Sequence, residues 1–185
     1  MGRIVSNFFI SLDGVVEAPD QWHFPYFDEA MGRVMGADME RQTAFLLGRR
    51  LYDEWSQYWP AQGPDVPFSS HINTIPKYVL THRPIEGGLW NNTTVLGADP
   101  VAELQSLKER TDGDIAMSGC ATTVRWLLAN DLLDELALLM HPIAVGKGQR
   151  LFEDTPTTPL TLTSSEALPS GVLLLRYAAV GAPPV

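Results

Sequence analysis

Polar and basic side chains follow four predicted strands of this chain, and their types suit the binding of phosphate groups. The residues at these strand ends are Ser11, Asp13 and Gly14; Gly48, Arg49 and Arg50; Thr81, His82 and Arg83; and Ser118, Gly119 and Cys120. Ligands of parallel sheets bind beyond the carboxyl ends of the strands, so we expect the four groups to converge at one edge. Guanidinium groups bind phosphate oxygens in pairs, which favours a nucleotide as the ligand.

The segment around Ser118 predicts the strand-to-helix turn of an anion site. The segment 114–117 is short and apolar, as a buried strand requires. Gly119 has no Cβ and allows a close backbone approach. The helix that follows begins with Cys120, Ala121 and Thr122. Its free N–H groups and its dipole favour a phosphate at that end.

The arginines after the second strand have two interpretations. Arg49 and Arg50 either face solvent at an ordinary strand-to-helix turn or form a fork on a nucleotide phosphate. Arg83, which follows Thr81 and His82 after another strand, adds a third cation. Arginine at such a position commonly admits the 2′-phosphate, so the two groups together favour NADPH over NADH as the cofactor.

Aromatic and acidic residues alternate in residues 20–28, DQWHFPYFD. The segment is either part of the core or the wall of a substrate pocket, and Gln21, Trp22 and Phe24 are the candidate substrate contacts. A carboxylate in an aromatic pocket has a raised pKa and can supply a proton. Asp28 is the candidate for this catalytic role, and Asp13 is its competitor.

Several other chemistries lack their motifs. The sequence contains no GxxxxGK[ST] phosphate loop and no G-x-S-x-G element. Its four histidines show no metal spacing with another His, Cys or carboxylate, so no metal is predicted. Cys120 is the single cysteine, which excludes an intrachain disulfide and favours a reducing, cytoplasmic location. We interpret Cys120 as a small residue that fits a crowded turn, in preference to a nucleophile.

Length and charge set the class of protein. The chain has 185 residues, which fit one domain, and we place it at 1–180 with a tail at 181–185. The formal net charge of −9 argues against nucleic-acid and anionic-membrane surfaces. No apolar run approaches the roughly 20 residues that span a bilayer. A small-molecule substrate is the expected partner.

Alternating strands and helices predict a three-layer α/β fold with a mixed, mainly parallel sheet. Helices are expected over 26–39, 49–58 and 100–110, with one helical turn at 69–74. Two C-terminal strands at 160–165 and 172–179 are expected to form an antiparallel hairpin.

The motifs then point to a family. ISLDG at 10–14, LLGRRLYDEW at 46–55, KYVLTHRP at 77–84, MSGCATTVRWLL at 117–128 and LLDELALLMHPIAVGKGQRLF at 132–152 occur in this order. Together they resemble the dihydrofolate reductase-like superfamily. The resemblance is strongest to stand-alone proteins related to the reductase domain of the bifunctional riboflavin-biosynthesis deaminase/reductase. No H-x-E and P-C-x-x-C deaminase half accompanies it here.

The resemblance implies NADPH along the carboxyl edge of a mixed sheet, a hydride transfer to a pterin-, pyrimidine- or flavin-like heterocycle, and a homodimer. It implies that Arg49 contacts the 2′-phosphate beside Thr81 and His82, and that Arg50 lies near the pyrophosphate. The residues that would receive the pyrophosphate and nicotinamide ribose are Ser118, Gly119, Cys120, Ala121 and Thr122. Leu51 departs from the family, which often has Thr there.

Three functions therefore stand side by side. The first is an NADPH-dependent reductase, motivated by the strand-end arginines and the Ser-Gly helix start. The second is a nucleotide-binding module without turnover, motivated by Leu51 and by residues 13–38, which do not match the pattern around the acid that assists dihydrofolate reduction. The third is an α/β domain that recognises a protein partner. Binding of a dinucleotide separates the third from the others, and turnover separates the first from the second.

Overall fold

The computed structural model describes residues 1–179. These form one eight-stranded sheet in the order β4-β3-β2-β5-β1-β6-β8-β7. The strands are β1 (Arg3–Ser11), β2 (Gln42–Gly48), β3 (Lys77–Leu80), β4 (Thr93–Leu96), β5 (Asp114–Ser118), β6 (Glu135–His141), β7 (Leu160–Ala167) and β8 (Leu173–Ala179). The helices are α1 (Glu29–Arg41), α2 (Arg49–Tyr58), α3 (Pro67–Thr74), α4 (Pro100–Arg110) and α5 (Ala121–Ala129).

The sheet is parallel from β4 to β6, and β8 and β7 continue it in antiparallel pairing. The predicted mixed α/β fold is therefore confirmed. β5 returns to the centre and lies between β1 and β2. The carboxyl ends of these three strands consequently meet at one point of one edge, where open sheets of this kind form a ligand crevice.

Successive side chains of a strand point to opposite faces of the sheet, so the strands contribute to a core on each face. Phe8, Leu46 and Met117 pack with Leu107 of α4 and Leu127 of α5 on one face. The opposite face has two separate clusters. One joins β2 and β3 to α2 and α3, and the other joins β6 and β8 to α1. The helices therefore form layers on both faces, and the second face is divided between α1 and α2.

Local chemistry explains where the helices begin. Asp99 caps α4 by accepting a hydrogen bond from the Ala102 N–H at 3.2 Å, and Pro100 occupies the first turn. Asp28 caps α1 in the same way, through the Met31 N–H at 2.8 Å. The helix predicted from residue 26 therefore begins three residues later, and Phe24–Tyr26 forms a 3₁₀ turn instead.

The C-terminal hairpin has the predicted antiparallel pairing. Its turn is closed by the Leu168 N–H, which donates to the Val172 carbonyl at 2.8 Å, and Gly171 supplies the positive φ of 86°. β7 continues to Ala167, two residues beyond its predicted end, because the ladder with β8 persists past a bulge between Leu162 and Ser164. The predicted tail at 181–185 lies outside the described residues.

Candidate functional site

A cavity of about 620 Å³ opens where β1, β2 and β5 end. The strand ends contribute Phe9, Gly48 and Gly119 to its wall, α2 contributes Leu51 and Trp55, and α5 begins at its rim. Two of the four groups identified in the sequence, those at Gly48 and at Ser118, therefore converge here, whereas Ser11, Asp13 and Gly14 lie outside the wall. The fourth, Thr81 with His82 and Arg83, lies beside Arg49 rather than in this wall.

Position 48 requires glycine, because β2 approaches α5 closely there. A Cβ at this position would lie 2.6 Å from Thr123 Oγ1 and would overlap Cys120 Sγ. No side chain fits between them, so only glycine allows this contact. The start of α2 and the start of α5 are consequently held side by side at the mouth of the cavity.

The turn between β5 and α5 presents unpaired backbone donors. Gly119 has a positive φ of 66°, and no side chain caps the helix. The N–H groups of residues 120–123, the first four of the helix, have no intrahelical acceptor. The Cys120 thiol receives a hydrogen bond from Thr123 Oγ1 at 3.1 Å. Four donors at a helix N-terminus suit a phosphate or pyrophosphate.

Arg49 connects the ends of β2 and β3. Its Nε donates to Asp53 at 2.8 Å, and its Nη1 donates to the carbonyls of Arg83 and Pro84, each at 2.8 Å. Only 19% of the side chain is exposed. Its Nη2 has no acceptor among residues 1–179 and remains available to a ligand. Arg49 also lines a second, more open cavity of about 990 Å³ beside α2.

The other predicted phosphate contacts are exposed side chains or turn residues. Arg50 is 78% exposed and pairs with Glu54 at 3.2 Å. Thr81 Oγ1 accepts a hydrogen bond from the Arg83 N–H at 3.1 Å, which shapes the turn after β3. His82 and Arg83 are exposed.

Asp13 anchors a turn rather than facing the cavity. Its carboxylate accepts hydrogen bonds from Ser11 Oγ at 2.6 Å and from the N–H groups of Val145 at 3.0 Å and Gly146 at 2.8 Å. These donors, Ser11 first, lower the pKa of Asp13 to about 2. Such a carboxylate stays ionised and is a poor proton donor at neutral pH.

The raised pKa expected for Asp28 is wrong. Asp28 caps α1 and also accepts the Ser170 N–H at 3.0 Å. The hydrogen bond from Met31 is the largest cause of a pKa lowered below the ordinary value. The carboxylate lies between α1 and the β7–β8 turn and is absent from the cavity wall. Hydrogen-bond donors, and not an aromatic pocket, set its ionisation.

The three predicted substrate contacts also lie outside the cavity wall. Trp22 is buried, with its Nε1 donating to the Glu17 carbonyl at 3.1 Å. Phe24 is 63% exposed, and Gln21 faces solvent. The wall is instead formed by Glu17 and Asp20 from the same loop and by residues 51, 54 and 55 of α2. The helical spacing of Leu51, Glu54 and Trp55 after Gly48 was the signal available in the sequence.

Two buried histidines connect this loop to the cavity floor. His23 stacks on Phe9 with ring centroids 4.3 Å apart, and its ring lies 6.0 Å from that of His141. His141 Nδ1 is 2.8 Å from the Leu139 carbonyl, which makes it the donor. Burial lowers the pKa of both histidines. Because Phe9 lines the cavity, packing of His23 positions the loop against the site.

Two further observations bear on the kind of site. Among residues 1–179, no three His, Cys, Asp or Glu side chains are grouped so that they could hold a metal ion. None of the described helices is both long enough and apolar enough to cross a bilayer.

Comparisons with known proteins agree with this architecture. The model of the family described as "RibD C-terminal domain" matches residues 3–174. An uncharacterized Bacillus subtilis (strain 168) protein, YyaP, is 26% identical over 180 residues, which are 95% of this chain and 94% of YyaP. A putative riboflavin biosynthesis protein from Shewanella sp. PV-4 has a TM-score of 0.74 at 20% identity, over 97% of this chain and 99% of its own.

A dihydrofolate reductase from Enterococcus faecalis, complexed with NADP(H) and RAB-propyl, has a TM-score of 0.62 at 14% identity, over 96% of each chain. This likeness concerns the fold. The family match spans the chain from β1 into β8 and includes every strand end of the cavity. The chain belongs to the RibD C-terminal domain family and has the dihydrofolate reductase-like fold.

Proposed function

We propose that the protein is an NADPH-dependent reductase that transfers a hydride to a small pterin-, pyrimidine- or flavin-like heterocycle. Membership of the RibD C-terminal domain family supports a reductase-like role. The observation that carries the cofactor assignment is the pairing of two anion-binding features at one cavity mouth. The free N–H groups of residues 120–123 lie beside Gly48 and Arg49, at a contact that only glycine allows.

The donors at the cavity mouth fit the phosphates of a dinucleotide. The turn around Gly119 would hold the pyrophosphate through its N–H groups, with Arg50 nearby. The Nη2 of Arg49 would bind the 2′-phosphate, with Thr81 and His82 beside it. The Enterococcus faecalis neighbour is described with NADP(H), which is in keeping with this choice of cofactor. When bound, NADPH would supply the hydride.

The inner part of the cavity would align the substrate and exclude water. Phe9, Leu51 and Trp55 provide apolar and aromatic surface for a flat ring. The protein's main contributions to a hydride transfer are to align the nicotinamide donor with the heterocyclic acceptor and to exclude water. Of the loop carboxylates, Glu17 and Asp20 line the cavity, whereas Asp13 and Asp28 do not.

Removal of the Arg49 guanidinium tests the 2′-phosphate assignment. We expect Arg49→Ala to weaken NADPH binding by about tenfold to a hundredfold, because a charge-assisted hydrogen bond is lost, and to change NADH binding little. Titration of both dinucleotides by calorimetry measures this. Arg33→Ala is the matched control, because Arg33 pairs with Glu29 at 2.9 Å on the exposed face of α1. Equal losses of affinity for NADPH and NADH would contradict the assignment of Arg49 to the 2′-phosphate.

A further inference from the structure

We propose that Asp13 is a positioning residue, which fixes one wall of the cavity through the turn at residues 145–150. The wall in question is residues 16–20, which we call the wall segment. Asp13 itself lies outside the cavity wall. The inference rests on the proposed function in one respect, because NADPH is the ligand whose binding reports on the wall segment.

The wall segment has little regular structure of its own. All five of its residues line the cavity. Its end joins a single 3₁₀ turn at Pro19–Gln21, and no longer helix or strand includes it. Ala18 has a positive φ of 44°, which a residue with a Cβ adopts only at a cost in free energy. Contacts from outside the segment are therefore needed to keep this conformation.

Asp13 connects the start of the loop to the turn at residues 145–150. Its Oδ1 accepts the Val145 N–H at 3.0 Å, and its Oδ2 accepts the Gly146 N–H at 2.8 Å. Ser11 Oγ donates to the same carboxylate at 2.6 Å and accepts the Val15 N–H at 2.9 Å. Hydrogen bonds to an ionised carboxylate are stronger than neutral ones. The Asp13 carboxylate thus links the turn to the residue that precedes the wall segment.

The same turn contacts the wall segment directly. The Gln149 carbonyl accepts the Val16 N–H at 2.9 Å, and the Gln149 N–H donates to Glu17 at 2.8 Å. A Cβ at Gly148 would lie only 3.1 Å from Glu17 Oε2, so the turn packs closely against the segment. Because Asp13 fixes the other end of the turn, its loss would allow Gln149 to shift, and the wall segment would shift with it.

Asp13→Asn tests this role. Asparagine keeps the size of the side chain but replaces one acceptor oxygen with an NH₂ donor, which opposes a backbone N–H. The Leu12 N–H still donates to the Ile143 carbonyl and the Leu151 N–H to the Gly14 carbonyl, so we expect the fold to be kept. We expect the variant to bind NADPH about threefold to thirtyfold more weakly, because binding must then also order the wall segment. Calorimetric titration measures this.

Asp28→Asn is the matched control. The Asp28 carboxylate also accepts two backbone N–H groups, from Met31 at 2.8 Å and from Ser170 at 3.0 Å, and it lies outside the cavity wall. This variant should lose stability but keep the NADPH affinity of the unmodified protein. If both variants lose stability and both keep that affinity, Asp13 has a role in stability alone and the inference is overturned.

Amide hydrogen exchange of the ligand-free protein gives a second readout. The Val16 N–H should exchange at least about tenfold faster in Asp13→Asn, because the loss of hydrogen bonds to a charged group favours local opening. Its exchange in Asp28→Asn should stay as it is in the unmodified protein. Unchanged exchange in Asp13→Asn would overturn the inference whether or not NADPH binds.

The two proposals fail in different ways. If the unmodified protein does not bind NADPH, the proposed function fails, and the exchange of the Val16 N–H decides the role of Asp13. If NADPH binds the unmodified protein and Asp13→Asn with equal affinity, only the inference about Asp13 fails. Weaker NADPH binding and faster exchange in Asp13→Asn, with neither change in Asp28→Asn, support both proposals.

Discussion

At the scale of single residues, Asp28 stabilises the fold and we expect it to have no part in proton transfer. Its carboxylate joins the start of α1 to the β7–β8 turn through Met31 and Ser170. Asp28→Ala should lower the free energy of unfolding, as the loss of an N-cap does. Urea denaturation measures this loss, with Glu29→Ala in the exposed first turn as the control.

The same variant separates a structural role from a catalytic one. Because the pKa of Asp28 is lowered, its stabilising contribution is complete above the ordinary value of 3.8 and is lost as the pH falls through the folded value. Turnover near neutral pH should therefore keep the shape of its pH profile in Asp28→Ala. A profile that loses one of its limbs in this variant would restore Asp28 as a proton donor.

At the scale of the elements, the contact between β2 and α5 determines the shape of the cavity mouth. Gly48→Ala would push a Cβ into Thr123 Oγ1 and Cys120 Sγ and should cost about 1–3 kcal/mol of stability, as overpacking does. It should also weaken NADPH binding, because the N–H groups of residues 120–123 would shift away from Arg49.

A second glycine provides the control for this substitution. Gly36 lies within α1, and a Cβ there meets no atom within 4 Å. Gly36→Ala should be neutral or should stabilise the protein by up to about 1 kcal/mol, because alanine is the better helix former. Thermal denaturation and an NADPH titration of both variants measure the difference. Unchanged NADPH binding and full stability in Gly48→Ala would show that the contact between β2 and α5 tolerates a Cβ at this position.

The elements were also the level at which the sequence was most informative. α2 and α4 have the predicted bounds, because Gly48 and Pro100 mark their first turns locally. The convergence of three strand ends followed from the parallel topology alone. The loop over residues 12–28 could not be placed in this way. Its position depends on Asp13 bonding Val145 and on Glu17 bonding Gln149, contacts more than 130 residues apart in sequence.

At the scale of the whole molecule, we expect three histidines to make stability depend on pH. Burial is the largest cause of the lowered pKa of His23, His71 and His141. The unfolded chain therefore binds these protons more readily, so stability is lost as the pH falls below about 6.5 through the folded values. Above that pH all three are neutral in both states and contribute no pH dependence.

His23→Phe isolates one of these contributions. Phenylalanine can keep the stacking on Phe9, whose ring centroid lies 4.3 Å away, while removing the titrating group. The free energy of unfolding should then fall less between about pH 7 and pH 5.5 than in the unmodified protein. His82→Gln, in the exposed segment after β3, is the control and should leave that loss as it was. An identical loss of unfolding free energy in His23→Phe would show that His23 does not cause the acid sensitivity.

The central claim, that the cavity between β2 and β5 receives NADPH, is tested most directly by tryptophan fluorescence. Of the five tryptophans, Trp55 lines this cavity, and Trp126 packs against the core on the opposite face of the sheet. Titration with NADPH and then NADH should show tighter binding of NADPH, with energy transfer to the nicotinamide. The transfer should be reduced in Trp55→Phe and kept in Trp126→Phe. No binding by folded protein, or equal affinity for both dinucleotides, would contradict the account.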